Sequence, residues 1–515
     1  MQKLRLLLIV VLAMLITVPA MAQNTPADLG LPAGDRILAW VAPAPAPNRQ
    51  AANQAGEIVY FNADGTIESV LTLPDGTTRV TPCGNATSPD GETFAFVTTV
   101  TAGNIESGNI YTVRGTGNPT LLIEEVNPMS CVGSSTLQYT DDSAVMGLID
   151  YRQDAEIMLS VTGTLQLYDT SDNSLINSFE NITDFDLGAG NGAFIGFFKN
   201  DRNEATEVAV FFWDGSNDRE VATIVAEEDC YYTSGSVETL PDGRLVAVLG
   251  NRCNNDPTTW EIYLIDPSAR SSQRVASGDA DGRYFTFTES NSVYSSPDGS
   301  NIFFTVPDGL TNRTVRILAA PVDSLDAPET VVDRFALMPS LSALPYVPGN
   351  ASAQVSPDGR YLAVVQNTPN NDATLNVIDL SAPDLPPIQI SAGDRRDTFN
   401  EVVFSDDSSL LFYVAGADAG GNNSLFVLNL STGSESRVTR GRFAQGVLSP
   451  AANLMAVMKW EVFNEEEPPY LTLLILDTFS TAEAVIYDEL ETDDRGNQIN
   501  PSFAYPLSWR AGSGS

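Results

Sequence analysis

Apolar positions along this chain come in short runs, each preceded by a polar turn. The clearest copy is Ser356-Pro357-Asp358-Gly359 followed by Tyr361-Leu362-Ala363-Val364-Val365. The run has almost no polar alternation, the pattern of a strand buried on both faces. Proline presets φ for the second position of a type I turn, Asp tolerates the third, and Gly359 supplies the positive φ that returns the chain into a strand. The unit therefore predicts a β-hairpin. It recurs at Ser88-Pro89-Asp90-Gly91, Ser296-Pro297-Asp298-Gly299 and Leu240-Pro241-Asp242-Gly243, each ahead of an apolar run. Weaker copies are Thr140-Asp141-Asp142-Ser143, Ser405-Asp406-Asp407-Ser408, Ser449-Pro450-Ala451-Ala452 and Gly190-Asn191-Gly192.

The marks at 90, 142, 191, 242, 298, 358, 407 and 451 step by 52, 49, 51, 56, 60, 49 and 44 residues. A repeat of about 50 residues means a solenoid, propeller or array, and the short strand-type runs select the propeller. Second strands such as Trp260 to Asp266 and Leu425 to Asn429 end in Asp or Asn, which turn the chain into a third strand such as Glu435 to Thr439. With the strand that leads into the next mark, each unit makes four strands. The expected fold is all-β: a single β-propeller of four-stranded antiparallel blades over residues 36–511. Nine units can be counted and eight blades are favoured, within a range of seven to nine. The segment Tyr505 to Arg510 reads like a strand that precedes a mark, so it is expected to complete the first blade and close the ring from both termini. Residues 23–35 form an N-terminal extension and 512–515 a flexible tail.

The Ser-Pro-Asp-Gly turn, a second strand such as Ile262-Tyr263-Leu264-Ile265-Asp266 and a third strand such as Arg437-Val438-Thr439 resemble the TolB-type, WD-repeat-like propeller family over residues 36–511. The resemblance implies a fold more than a function, since that family spans periplasmic scaffolds, gating domains of oligopeptidases and secreted binding proteins. Two departures stand out. Little chain precedes the first strand that could make the small α/β domain of TolB, and no segment after the last unit could make a hydrolase domain.

Lys3 and Arg5, the apolar stretch Leu6 to Thr17 and Ala20-Met21-Ala22 make residues 1–22 a signal peptide by composition. The apolar stretch is too short for a membrane anchor. The expected location is periplasmic or extracellular, with no membrane insertion after cleavage. Without Lys3 and Arg5 the 27 basic residues become 25 against 66 acidic, a net of −41. Such a chain repels nucleic acid and anionic membrane. Apolar content of 43% supports a packed core.

Four cysteines in an exported chain predict two disulfides. If Glu238 faces Leu245 across the turn at Leu240 to Gly243, then Cys230 faces Cys253 in the same hairpin. Cys83 and Cys131 remain, each just ahead of a mark in successive units, and a bridge between neighbouring blades is expected. There is no histidine, which removes Ser-His-Asp and Cys-His catalysis and histidine-ligated metals. No nucleophile elbow or phosphate-cradling loop stands out. The expectation is a non-enzyme without a cofactor. Asp279 and Asp281 within Gly278 to Gly282 resemble part of a calcium loop but lack its distal Glu, so a turn is the better reading. The acidic runs at Glu465-Glu466-Glu467 and Asp488 to Asp494 read as solvated loops. Phe197, Phe198, Phe211, Phe212, Trp213, Phe303, Phe304 and Phe412 lie in apolar strands and read as core between blades.

These features point to a non-catalytic propeller that binds a protein, peptide or glycan. A carboxylate-based, glycosidase-like enzyme on the same ring and a calcium-stabilised module of an extracellular layer are the alternatives.

Overall fold

A computed structural model describes residues 26–43, 56–102, 105–128, 131, 137–150, 162–188, 190–199, 204–253, 259–279, 293–307, 314–336, 353–367, 373–382, 385–391, 400–415, 423–461, 470–480, 482–488, 491–492, 498–499 and 502–512. The expected signal segment, Asp281 and Glu465 to Glu467 lie outside the described residues.

The repeated turn is built as its residue types dictate, with one addition. Gly359 N–H donates to Ser356 O at 2.8 Å and Gly359 sits at φ +72°. The Ser356 hydroxyl donates to Asp358 Oδ1 at 2.6 Å and accepts the Tyr361 N–H at 2.8 Å, while Asp358 Oδ1 also accepts Arg360 N–H at 3.0 Å. Serine thus locks the turn to the strand that follows it. The same three-way bond recurs at Ser88, Thr140, Ser296 and Ser405. Ser356→Ala leaves the buried Tyr361 N–H unpaired and is expected to cost about 1–3 kcal/mol in thermal or denaturant unfolding.

Where the fourth turn residue is not glycine, the left-handed conformation persists: Ser143 at φ +59°, Ser408 at +55° and Ala452 at +53°. Two of these residues gain a bond that glycine could not make. The Ser143 hydroxyl accepts the Asp90 N–H at 3.0 Å, and that of Ser408 accepts the Asp358 N–H at 3.1 Å, each from the preceding repeat. Ser408→Ala keeps the backbone strain and loses the bond, an expected cost of about 1 kcal/mol. Ser408→Gly loses the bond but relaxes the strain, so its melting temperature should lie above that of Ser408→Ala.

Among the described residues the strands form nine antiparallel groups of four, with a two-stranded ribbon of Glu491–Thr492 and Gln498–Ile499 besides. Two long strands, Leu175–Leu187 and Ser434–Leu448, end one group and begin the next. Among the described residues helix is confined to short turns such as Pro26–Leu29 and Val322–Ser324. Second strands such as Leu245–Cys253 are deeply buried, and last strands such as Ile67–Thr72 and Asp218–Val225 are largely exposed.

Apolar side chains fill the seams between consecutive groups. Ile149, Leu165 and Leu167 of the third meet Phe185, Phe194 and Trp213 of the fourth. Phe303 and Ile317 of the sixth meet Leu362 and Val364 of the seventh. The ninth group packs on the first through Leu454, Ala456, Leu473 and Ile475 against Ile37, Ala39, Val59 and Phe61. The first packs on the second through Leu38, Trp40 and Tyr60 against Val80, Phe94 and Phe96. Phe197, Trp213, Phe303, Phe304 and Phe412 are core, whereas Phe198 is 40% exposed at the end of its strand.

The C-terminal strand Ser502–Arg510 is the first strand of the first group. It pairs antiparallel with Arg36–Pro43, from Arg36 opposite Arg510 to Pro43 opposite Ser502. Buried Asp35 fastens this junction, accepting the Trp509 Nε1–H at 2.9 Å and the Gly512 N–H at 3.1 Å.

Both disulfides are present, Cys83–Cys131 and Cys230–Cys253. The register that suggested the second differs from expectation. Glu238 faces Val246, and Thr239 faces Leu245, one residue off. A bulge at Thr233, between Tyr232 and Ser234, takes up the extra residue, so Cys230 still faces Cys253. Two disulfides fit an oxidising compartment. Among the described residues no helix is long and apolar enough to cross a membrane.

Candidate functional site: a carboxylate seam between first strands

The first strands of the fourth to sixth groups face their neighbours with little ladder pairing, the fifth touching the fourth only at Tyr232 opposite Ala205, and an unpaired edge leaves backbone N–H and C=O groups without ladder partners. Along four consecutive groups, side chains supply those partners. Gln138, on Leu137–Tyr139, uses its amide like a peptide group: Nε2 donates to Phe185 O at 2.7 Å and Oε1 accepts Leu187 N–H at 3.1 Å. Asp184 and Asp186 repeat the move toward the fifth group. Asp184 Oδ2 accepts Val237 N–H at 3.1 Å and Asp186 Oδ2 accepts Thr239 N–H at 2.8 Å. The two-residue spacing of a strand matches on both sides. Glu238, on Cys230–Thr239, continues to the sixth group, its Oε1 accepting the Ser295 N–H at 3.0 Å and hydroxyl at 2.7 Å.

The arrangement gathers three carboxyls at one place in the fold. Asp184 is only 9% exposed. Burial is the largest effect on each group and disfavours the charged form, and the neighbouring acids reinforce it. Asp184 is pushed up to about 8 by burial, helped by Asp186 and opposed by the amides of Val237 and Phe185. Asp186 is raised by burial and by Asp141, and Glu238 is raised well above the usual range by burial, Asp186 and Asp184. A carboxyl that keeps its proton near neutral pH can act as a general acid, or as a neutral donor in a buried network.

The turn aspartates behave in the opposite way. Asp142, Asp298 and Asp407 hold hydroxyl and backbone N–H donors on their carboxylates and are shifted down, Asp298 to about 2. Folding gains from their ionisation above the ordinary carboxylate range, and that gain is lost as pH falls through the lowered values. Asp90, Asp242 and Asp358 occupy the same turn position, with Gly91, Gly243, Gly299 and Gly359 at positive φ after the aspartates. None of these residues joins the carboxylate seam except through Asp141, the neighbour of Asp142.

Asp279 ends the strand Ser271–Asp279, opposite Thr259. Among the described residues no group of three or more Asp, Glu, Cys or His is placed to hold a metal ion. The sequence reading did not single out Asp184, Asp186 or Glu238. The signal was present in Asp184-Phe185-Asp186, an acidic alternation inside an apolar strand just ahead of a mark.

No protein-family profile and no curated protein matches the chain. Solved structures that it resembles include dipeptidyl peptidase 4 of Porphyromonas gingivalis, at 10% identity and a TM-score of 0.45, over 82% of this chain and 64% of that one. The β-propeller domain of the Trilobed protease from Pyrococcus furiosus is similar at 12% identity and 0.38, over 70% and 98% of the two chains. TolB from Acinetobacter baumannii is similar at 13% identity and 0.26, over 71% and 82%. The chain spans less than two-thirds of the peptidase's length. The architecture described above rests on strand pairing and packing, not on these similarities.

Proposed function

We propose that this chain is an exported, non-catalytic β-propeller whose nine four-stranded groups are blades of one ring, joined by the strand pairing of its two ends, and that it binds a protein, peptide or glycan partner. The observation that carries this reading is the inequality of the two faces. Antiparallel pairing puts the Ser-Pro-Asp-Gly turns and the third-to-fourth-strand turns at one end of the strands. At the other end the strands are joined by connections of unequal length, from residues 103–104 to residues 151–162 and 337–352. A rigid scaffold with variable connections on one face is the usual setting for recognition.

The test is binding of the purified mature protein to separated envelope proteins and to a polysaccharide panel, repeated in high salt. Saturable, salt-resistant binding to one class supports the reading and names that class. No binding to either would count against it.

The carboxylate seam favours one second reading, an enzyme that works with Asp184 and Glu238. Glycan turnover that disappears in Asp184→Asn and Glu238→Gln while folding is retained would establish it, and the same turnover in both variants would exclude these residues. For the calcium-stabilised alternative, a melting temperature unchanged by EDTA counts against it.

A further inference from the structure

We propose that the seam formed by Asp184, Asp186 and Glu238 is a proton-loaded clasp that holds the fourth, fifth and sixth groups together in its protonated form and loosens when it ionises. The geometry carries the clasp itself. Each carboxyl reaches from its own group to a backbone N–H of the next, so the three side chains bridge two consecutive seams. All three are held where burial opposes charge, and the charged groups acting on them from neighbouring elements are also acidic. Asp186 acts on Asp184; Asp141, from the turn after Leu137–Tyr139, acts on Asp186; Asp184 and Asp186 act on Glu238. The other side chains that act on them, Ser236 on Asp184, Thr239 on Asp186 and Ser295 on Glu238, are uncharged.

Protonated, each carboxyl accepts the backbone N–H across the seam without bringing a negative charge into it. Ionised, three like charges share one strip in which Asp184 is buried and Asp186 and Glu238 are half-buried, and relief comes from parting the first strands and admitting water. The folded chain therefore binds more protons than the unfolded chain between the ordinary carboxylate range and about 8. The clasp contributes fully at the acid end of that window, and its contribution is lost as pH rises through it. The turn aspartates lose theirs at the opposite, acid extreme. The pairing of the two makes the ring tightest under mildly acidic conditions.

The absence of histidine gives a clean readout. Near neutral pH, of the ordinary groups of this composition only the α-amino group titrates, and it is common to the unmodified protein and its variants. Unfolding the unmodified, disulfide-intact protein in unbuffered denaturant at neutral pH should release about one proton or more per chain. No net release overturns the proposal. The assignment is made with Asp184→Asn and with the triple variant Asp184→Asn, Asp186→Asn, Glu238→Gln, which keep the acceptor oxygens and remove the charge. The fall in melting temperature of the unmodified protein between about pH 5 and pH 9 should at least halve in the triple variant. A fall of the same size in the variant also overturns the proposal. If the triple variant does not fold, infrared spectra of the folded unmodified protein decide instead: a buried protonated-carboxyl band present at neutral pH and lost toward pH 9 supports the clasp, and its absence overturns it.

Discussion

A chain shortened to end at Pro501 is expected to lose cooperative unfolding altogether. The strand Ser502–Arg510 supplies the first strand of the first group and is buried along its last seven residues. Its removal strips the partner from Arg36–Pro43 and uncovers Trp40 and Tyr60 at the seam with the second group. It also removes two fastenings that act over most of the chain length. Trp509 donates to buried Asp35, and Arg510, only 2% exposed, donates to the carbonyl oxygens of Gly115 and Glu92 in the second group. Gly115 O would lose its Arg510 donor, and Glu92 O would keep only the Gly115 N–H. Point variants grade the effect. Trp509→Ala opens a cavity and removes one of the two donors that Asp35 accepts, an expected loss of about 3–5 kcal/mol. Arg510→Lys keeps the charge but cannot serve two carbonyls with one planar fork, so it should also destabilise. Denaturant unfolding measures all three. A shortened chain that unfolds cooperatively near the midpoint of the full chain would show that terminal pairing does not hold the fold.

Reduction of both disulfides should bring the protein close to its unfolding threshold at ordinary temperature. Cys83–Cys131 spans 48 residues and ties the first strand of the second group to the segment that enters the third. On the chain-entropy account it contributes about 4 kcal/mol, and Cys230–Cys253, spanning 23 residues, about 3.5 kcal/mol. The two lie in different groups and share no partner, so their losses should nearly add. The sum, about 7.5 kcal/mol, is comparable with the whole stability of many folded chains, roughly 5–15 kcal/mol. The paired Cys83→Ala, Cys131→Ala variant should lose slightly more than the Cys230→Ala, Cys253→Ala variant, which closes the shorter loop within one hairpin. Equal melting temperatures with and without reductant would remove both contributions.

Much of the architecture was legible because it is local. Pro357, Asp358 and Gly359 each have a conformational reason to stand where they do, and the apolar runs beside the marks became the buried second strands. The period of about 50 residues announced repeated four-stranded antiparallel groups, and such groups stand among the described residues. The serine of the turn was read only as part of a motif. Its hydroxyl bonds to the strand five residues on, which no propensity encodes.

The Cys230–Cys253 register shows how a correct pairing can rest on an incomplete reason. Counting from the turn assumed an uninterrupted ladder, and the ladder is displaced by one residue and restored by a bulge. Bulges depend on twist and on what packs against the strand, so counting along the sequence does not reveal them.

The sequence by itself determined the strands, their turns, the repeat and the partners available to its four cysteines, because those depend on residues within one hairpin or on a simple periodicity. Tertiary structure decided what the acidic residues are for. Asp142 and Asp184 are the same side chain, yet one is held ionised by the donors of its own turn and the other is driven to keep its proton. The difference comes from burial and from an amide contributed by a strand 53 residues away. Charge state in a protein is set by surroundings that only the folded arrangement of the groups brings together.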